Sequence, residues 1–382
     1  YLIHTSGGGA ALIIQADQIT PVWLDSVSTE ALHAFLSEKI GSVSYFQAHQ
    51  SLTSDAGITN GQTEWLEVLD KTCQWLWNNV LEKVIPTLEM SCSRGSKIMI
   101  VPCGLFSLLP IHAAWIADTR MLTGRRFAQD HFKFGYAPSA VLLLNRKNMV
   151  NAPHSESLLV VENPAGDLKY SSEAARTAMS FFDEALHLSG QSADRSTIKS
   201  NFHKYTTMYF FTHSAIHPER PFESGILLAA NQWLTLKDIY SEAPIRNTRL
   251  VILAACETGL PADRSLLEQT VSLPSVLLRV GIPGIVGTLW PVPEASTAVL
   301  LTIFFELWRT MGYSPQAALA EAQRILRDAR FVPADRNHFN LDQPAPRIKY
   351  LPAESVKLFN RLLKLGDFHH PYYWAGFIYY GF

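Results

Sequence analysis

The feature that most constrains this chain is an alternation that sets in at residue 156. "SLLVVENP" reads as a strand and "SSEAARTAMSFF" as a helix opened by a serine cap. "EALHLSG" reads as a strand, "DRSTIKSNFHKY" as a helix, and "TTMYFFTH" and "GILLAA" as two more strands. After the helix "LTLKDIYSEA" come the strand "TRLVILAAC", the helix "LPSVLLRVG" and the strand "PGIVGTLW". Two long helical periods follow, "PEASTAVLLTIFFELWRTMG" and "SPQAALAEAQRILRDAR". Strands alternating with helices imply right-handed crossovers and a mostly parallel sheet with helices on both faces. The strands are unbroken apolar runs, as expected where both faces are covered. The α/β class is therefore expected for residues 156–382. The polar, proline-containing stretch 331–352 reads as an exposed loop. A last helix, "AESVKLFNRLLKLG", and an aromatic strand, "YYWAGFIYYGF", close the chain.

Residues 1–155 read differently and are expected to form an N-terminal α+β subdomain. "AALIIQADQITPVWL" is patterned as two short strands joined by a turn. "STEALHAFLSEKI" has an apolar face at Leu32, Phe35, Leu36 and Ile40. "TEWLEVLDKTCQWLWNNVLEKVIPTL" repeats the helical period through Leu66, Leu69, Cys73, Leu76, Val80 and Val84. It reads as one long core helix with Cys73 as a packing residue. "KIMIVP" is a short buried strand stopped by Pro102.

Composition narrows the function. A chain of 382 residues that is 47% hydrophobic has ample material for a large core. A net charge of −2 leaves no electrostatic footprint for nucleic acid or an anionic membrane. No apolar run reaches membrane-spanning length. The chain opens on Tyr1 with no leader pattern, so it is expected to be part of a longer protein. The four cysteines have no paired spacing, which points to free thiols and a reducing, cytoplasmic setting.

Two strands end in reactive side chains. "TTMYFFTH" ends in His213 and "TRLVILAAC" in Cys256. In an open parallel sheet, ligands bind beyond the carboxyl ends of the strands. If the two strands are neighbours, roughly 4.8 Å apart, imidazole and thiol meet at one rim. Only the thiolate attacks a carbonyl, and a nearby imidazole takes the proton or stabilises the anion. The backbone N–H groups of Cys256 and of Ser214 would then receive the oxyanion. The polar loops 214–225 and 257–272 flank the pair, and a partner that orders them would switch the site on. The plainer alternative is a small core cysteine and a structural histidine.

Other candidates carry less. Cys103, beside Gly104 at a strand end, has no base near it in sequence. His213 and His217 are separated by four positions, but Pro218 rules out a shared helical face, and no metal is expected. His369 and His370 read as structural. Asp238 and Glu257 fall near the rim, where a solvated role is the simpler reading. Trp290 follows the strand "GIVGTL" and is expected to wall a substrate groove. There is no Gly-x-Ser-x-Gly elbow and no phosphate-binding glycine loop, so a small-molecule hydrolase or transferase is disfavoured.

Several segments together resemble a known family. "KIMIVPCGLFSLLPIHAAW", "FFTHSAIHPERPFESGILLA", "LVILAACETG", "GIPGIVGTLWPVPEASTAVL", "SPQAALAEAQRILRD" and "HPYYWAGFIYYG" occur in the order seen in CHAT domains, the caspase-like cysteine peptidases related to separases. The resemblance runs from about residue 60 to the C-terminus. It implies a caspase-like α/β sandwich, with residues 1–155 as its N-terminal, pseudo-caspase-like part and residues 156–382 as the catalytic part. It implies Cys256 as nucleophile, His213 as base and hydrolysis of a protein substrate through an acyl-enzyme, without a cofactor. It also implies an upstream repeat or sensor module that gates activity. Glu294 matches the acidic position that receives an arginine side chain in separases, where a bidentate carboxylate–guanidinium pair forms; an ordinary helix N-terminal acid is the alternative. One position departs from the pattern. The residue after the histidine is usually glycine, and here it is Ser214, which keeps open a silent scaffold that only binds a partner.

Overall fold

The computed structural model describes residues 1–16, 18–52, 58–144, 156–217, 219–242, 245–255, 258, 272–329, 340–341, 343–344, 361 and 368–381. The chain begins with strands β1 (Leu2–Thr5), β2 (Gly8–Gln15) and β3 (Gln18–Leu24), then helices α1 (Thr29–Ser37), α2 (Tyr45–Ser51), α3 (Ile58–Leu76) and α4 (Glu82–Ser91). Strands β4 (Lys97–Ile100), β5 (Trp115–Ala117), β6 (Arg125–Phe127) and β7 (Lys133–Tyr136) follow, with the short helix α5 (Ala140–Leu144). The alternating part runs β8 (Ser157–Glu162), α6 (Ser171–Met179), β9 (Glu184–Ser189), α7 (Arg195–Asn201), β10 (Thr207–Phe211), β11 (Ser214–Ala215), β12 (Gly225–Leu227), β13 (Trp233–Thr235), α8 (Leu236–Tyr240), β14 (Leu250–Ala254), α9 (Leu273–Arg279) and β15 (Gly284–Thr288). It ends with α10 (Glu294–Arg309), α11 (Pro315–Asp328), β16 (Asn340–Leu341), β17 (Gln343–Pro344), α12 (Pro371–Trp374) and β18 (Phe377–Gly381).

An eight-stranded sheet organises the molecule, in the order β4-β7-β18-β15-β14-β10-β8-β9. Every pairing in it is parallel except β15 with β18. Strands β8, β10, β14, β15 and β18 are buried at every position. Alternate residues of a strand face opposite sides, so burial at every position means that both faces are covered. The mostly parallel α/β architecture expected from the sequence is the one observed. β9, at the sheet edge, keeps one buried residue, Leu188. The reversed last strand was not foreseen.

Local chemistry explains most elements. Ser28 caps α1 by accepting the Ala31 N–H. Ser44, Thr235 and Ser272 each start a helix with a capping box. The helix expected through residues 63–88 is interrupted. A π-helical turn spans Trp77–Leu81, with the Glu82 N–H donating to the Trp77 carbonyl, and Pro86 lies one turn on. Proline has no N–H to return to the carbonyl four residues back, and its ring crowds that carbonyl. The core face is otherwise as expected, with Leu69, Cys73, Leu76 and Val80 fully buried, although Leu66 is only partly so.

"GILLAA" does not join the main sheet. Its β12 pairs antiparallel with β11 and β13 in a separate small sheet. Gly225 permits this approach: a Cβ there would lie 2.4 Å from the Leu234 carbonyl oxygen. The division expected at residue 155 falls within the large sheet, since β4 and β7 extend it through β18, and one hydrophobic cluster spans both segments. The loop 331–352 and the helix after it lie almost wholly outside the described residues. Among the described residues no helix is long and apolar enough to cross a membrane.

One buried acid breaks the apolar pattern of α10. Glu306 is 2% exposed, and its Oε1 has no hydrogen-bond partner among the described residues. Burial pushes its carboxyl from 4.5 up to about 7. An acid raised on folding keeps its proton in the native state where the unfolded chain has lost it. Stability from this group therefore falls as pH climbs from about 4.5 to about 7. Glu306→Gln is predicted to remove that decline, so its stability relative to wild type, read from urea midpoints, rises across this range. A difference that does not change with pH would contradict the assignment.

Candidate active site

The candidate site is set by strand register. β10 and β14 run parallel, with Phe211 opposite Ala254, and on the other side of β10 Phe211 stands opposite Glu162 of β8. The three strands stop together at one rim. The Asn163 N–H donates to the Phe211 carbonyl at 2.8 Å, and the Thr212 N–H to the Ala254 carbonyl at 3.3 Å. His213 is two positions past Phe211, and Cys256 is two positions past Ala254. Cys256 and Glu257 lie outside the described residues.

The chain on either side of those two residues is held by Thr288, at the end of β15. Its Oγ1 donates to the Ala255 carbonyl at 2.6 Å, and its N–H donates to Thr258 Oγ1 at 3.0 Å. Ala255, Thr258 and Thr288 are all buried, at 3%, 2% and 0% exposure.

His213 stands at the surface, with its side chain 38% exposed. Its carbonyl accepts the Leu227 N–H at 2.9 Å, which ties it to β12. Its Nε2 lies 3.0 Å from both carboxylate oxygens of Asp167. Asp167 was not singled out from the sequence, because "ENPAGDLKY" matches no motif. The usable signal was its place just beyond β8, at the same rim. Ser214 opens β11 opposite Ile226. It is in extended backbone, and it is not among the described non-glycine residues with positive φ. A serine is accommodated there without the strain that the usual glycine would relieve.

The remaining candidates fall elsewhere. Trp290 was expected to wall a groove, but it has no exposed surface. Its Nε1 donates to the Tyr372 carbonyl at 3.0 Å, and its ring meets Trp65 edge-on at 5.7 Å. A large apolar ring with a satisfied N–H is core, so that expectation is corrected. Glu294 begins α10, and its Oε1 accepts the Tyr170 N–H, so one carboxylate oxygen is engaged by the loop that carries Asp167. Asp238 caps Thr235 and pairs with Arg195 at 3.1 Å, in a cluster joining α7 and α8. His370 caps α12, and the His369 carbonyl accepts from Trp374. Cys73 is fully buried, and burial, reinforced by Asp70, pushes its thiol well above its ordinary value. Cys103 follows β4, which runs opposite to β10 and is separated from it by five strand spacings, about 24 Å. It therefore opens at the other rim and does not share a site with His213.

Comparison with known proteins gives the context. The CHAT domain profile matches residues 70–382. No curated protein sequence matches the chain. Among solved structures, the separase–securin complex of Saccharomyces cerevisiae aligns at 14% identity and a TM-score of 0.46, covering 74% of this chain and 15% of the separase chain. The Arg-specific cysteine proteinase gingipain R aligns at 7% identity and a TM-score of 0.40, covering 72% and 64%. The complex of the pro- and mature domains of the Porphyromonas gingivalis enzyme aligns at 8% and 0.42, covering 77% and 69%. This chain thus spans only about a seventh of the separase chain's length. With the profile matched over most of its residues, the chain belongs to the CHAT domain family.

Proposed function

We propose that this chain is a caspase-like thiol endopeptidase in which Cys256 is the nucleophile and His213 the base. The observation that carries the reading is the pairing of Phe211 with Ala254, two positions short of His213 and Cys256. Neighbouring parallel strands lie about 4.8 Å apart, within which an imidazole and a thiol meet by side-chain rotation. Membership of the CHAT family supports the same pair. The substrate is a protein, and the site is gated by an upstream module in a reducing, cytoplasmic setting. The extended backbone at Ser214 favours an active site over a silent scaffold, since the serine brings no backbone strain.

The chemistry follows in balanced steps. The His213 imidazole takes the Cys256 proton, and the sulfur bonds to the scissile carbonyl carbon. The carbonyl electron pair moves to oxygen, where the N–H groups of Ser214 and Cys256 receive it. Collapse breaks the C–N bond, and the imidazolium protonates the departing amine. Water then gives a proton to the imidazole and attacks the thioester, which releases a carboxylic acid and restores the thiol. Thr288 serves this scheme by holding both Ala255 and Thr258. As for specificity, the proposed arginine-receiving role of Glu294 would have to use an acid already shared with Tyr170.

Two measurements test the reading. Iodoacetamide labelling followed by peptide mapping is predicted to modify Cys256 faster than Cys103, and His213→Ala to slow it by about a hundredfold or more. Equal rates at the two cysteines, unchanged by His213→Ala, would contradict the dyad. Thr288→Val leaves the buried Ala255 carbonyl without its donor and is predicted to cost about 1–3 kcal/mol in urea unfolding, with Thr288→Ser costing less. Equal losses for the two variants would show that the hydroxyl is not what matters.

A further inference from the structure

We infer that Asp167 is a positioning residue for His213, fixing which ring nitrogen acts on the thiol. This rests on the dyad reading above and adds a third member to it. The Nε2 of His213 is 3.0 Å from Asp167 Oδ1 and 3.0 Å from Oδ2. An ionised carboxylate only accepts hydrogen bonds, so Nε2 must carry the proton that both oxygens share. In the neutral imidazole the other nitrogen is then the acceptor. Nδ1 is therefore the basic atom, and in the proposed reaction it takes the thiol proton.

The loop that presents Asp167 is built to hold it. Asn163 takes a left-handed conformation, φ 43°, directly after β8. Its Oδ1 accepts the N–H groups of Gly166 at 3.0 Å and Asp167 at 3.1 Å, and its Nδ2 donates to the Leu168 carbonyl at 3.1 Å. Asn163 is itself bound to the end of β10 through its N–H and the Phe211 carbonyl. At the far end of the loop, Glu294 accepts the Tyr170 N–H. Asp167 and His213 are thus referred to the same strand end by a short, closed loop. The carboxylate is 58% exposed, so its contact with the imidazole is not a by-product of core packing.

The test uses Asp167→Ala, Asp167→Asn and the wild-type chain, each checked for the same unfolding midpoint. Nitrogen-15 NMR of the imidazole in the neutral form is expected to show a proton on Nε2 in wild type and a mixture of tautomers in Asp167→Ala. Asp167→Asn keeps an oxygen that accepts from Nε2 and is expected to retain much of the wild-type preference. Iodoacetamide labelling of Cys256 is expected to slow about ten- to hundredfold in Asp167→Ala, the scale on which a histidine's outer partner acts, and less in Asp167→Asn. A tautomer balance that is the same in wild type and Asp167→Ala overturns the inference. Failure of Cys256 to label preferentially in the wild-type chain overturns the dyad instead, and the NMR comparison still decides the role of Asp167.

Discussion

The arrangement depends on the in-register parallel pairing of β10 and β14. Parallel strands end on the same side of a sheet, and matched register makes them end at the same height. With Phe211 opposite Ala254, the next residues of both chains leave the sheet together. β8 lies on the other side of β10 in the same register, and its departing chain carries Asp167. The residues of the proposed site thus follow three separate strands that end at one rim. A slip of one residue in any pairing would turn every side chain of that strand to the opposite face.

That register is fixed by burial. Ile252, Tyr209 and Val160 sit side by side in the centre of the sheet, and all three are fully buried. Both faces of these strands are covered, so a slip would force side chains of the wrong shape against closely packed neighbours, at about 1–3 kcal/mol for each misfit. β15 adds a second restraint, because its terminal Thr288 grips the chain after β14 from the side. The rigid elements hold the site from beneath. The residues they present, His213 and Asp167, remain substantially exposed. The proposed protein substrate would require that division of labour: backbone positions set by a core, and side chains open to a large ligand.

Much of this was legible in the sequence, for stated physical reasons. Apolar runs broken by helical periods have few solutions, so the sheet, its mostly parallel sense and the two strands that stop two residues short of His213 and Cys256 could be read directly. Strand order is a different kind of information. Nothing local in "YYWAGFIYYGF" says that β18 runs antiparallel to β15, and nothing in "KIMIVP" says that β4 joins the same sheet. Asp167 escaped notice for that reason, since its meaning comes from the adjacency of β8 and β10. Trp290 shows the converse error. Its position after a strand suggested a groove, but the aromatic layer of Trp65 and the Tyr372 carbonyl enclose it completely. The π turn at residues 77–81 was likewise hidden, because the apolar period continues through it.

The central claim is that positions 213 and 256 are neighbours across the sheet's rim, and an engineered cross-link tests it most directly. A disulfide requires Cα atoms about 4.4–6.8 Å apart, a span that register partners on adjacent strands satisfy. In a His213→Cys variant, mild oxidation is predicted to join position 213 to Cys256 within one chain, as mapped by peptide mass analysis. If both thiols instead stay reduced and reactive in the folded variant, the two strand ends do not meet and the account fails.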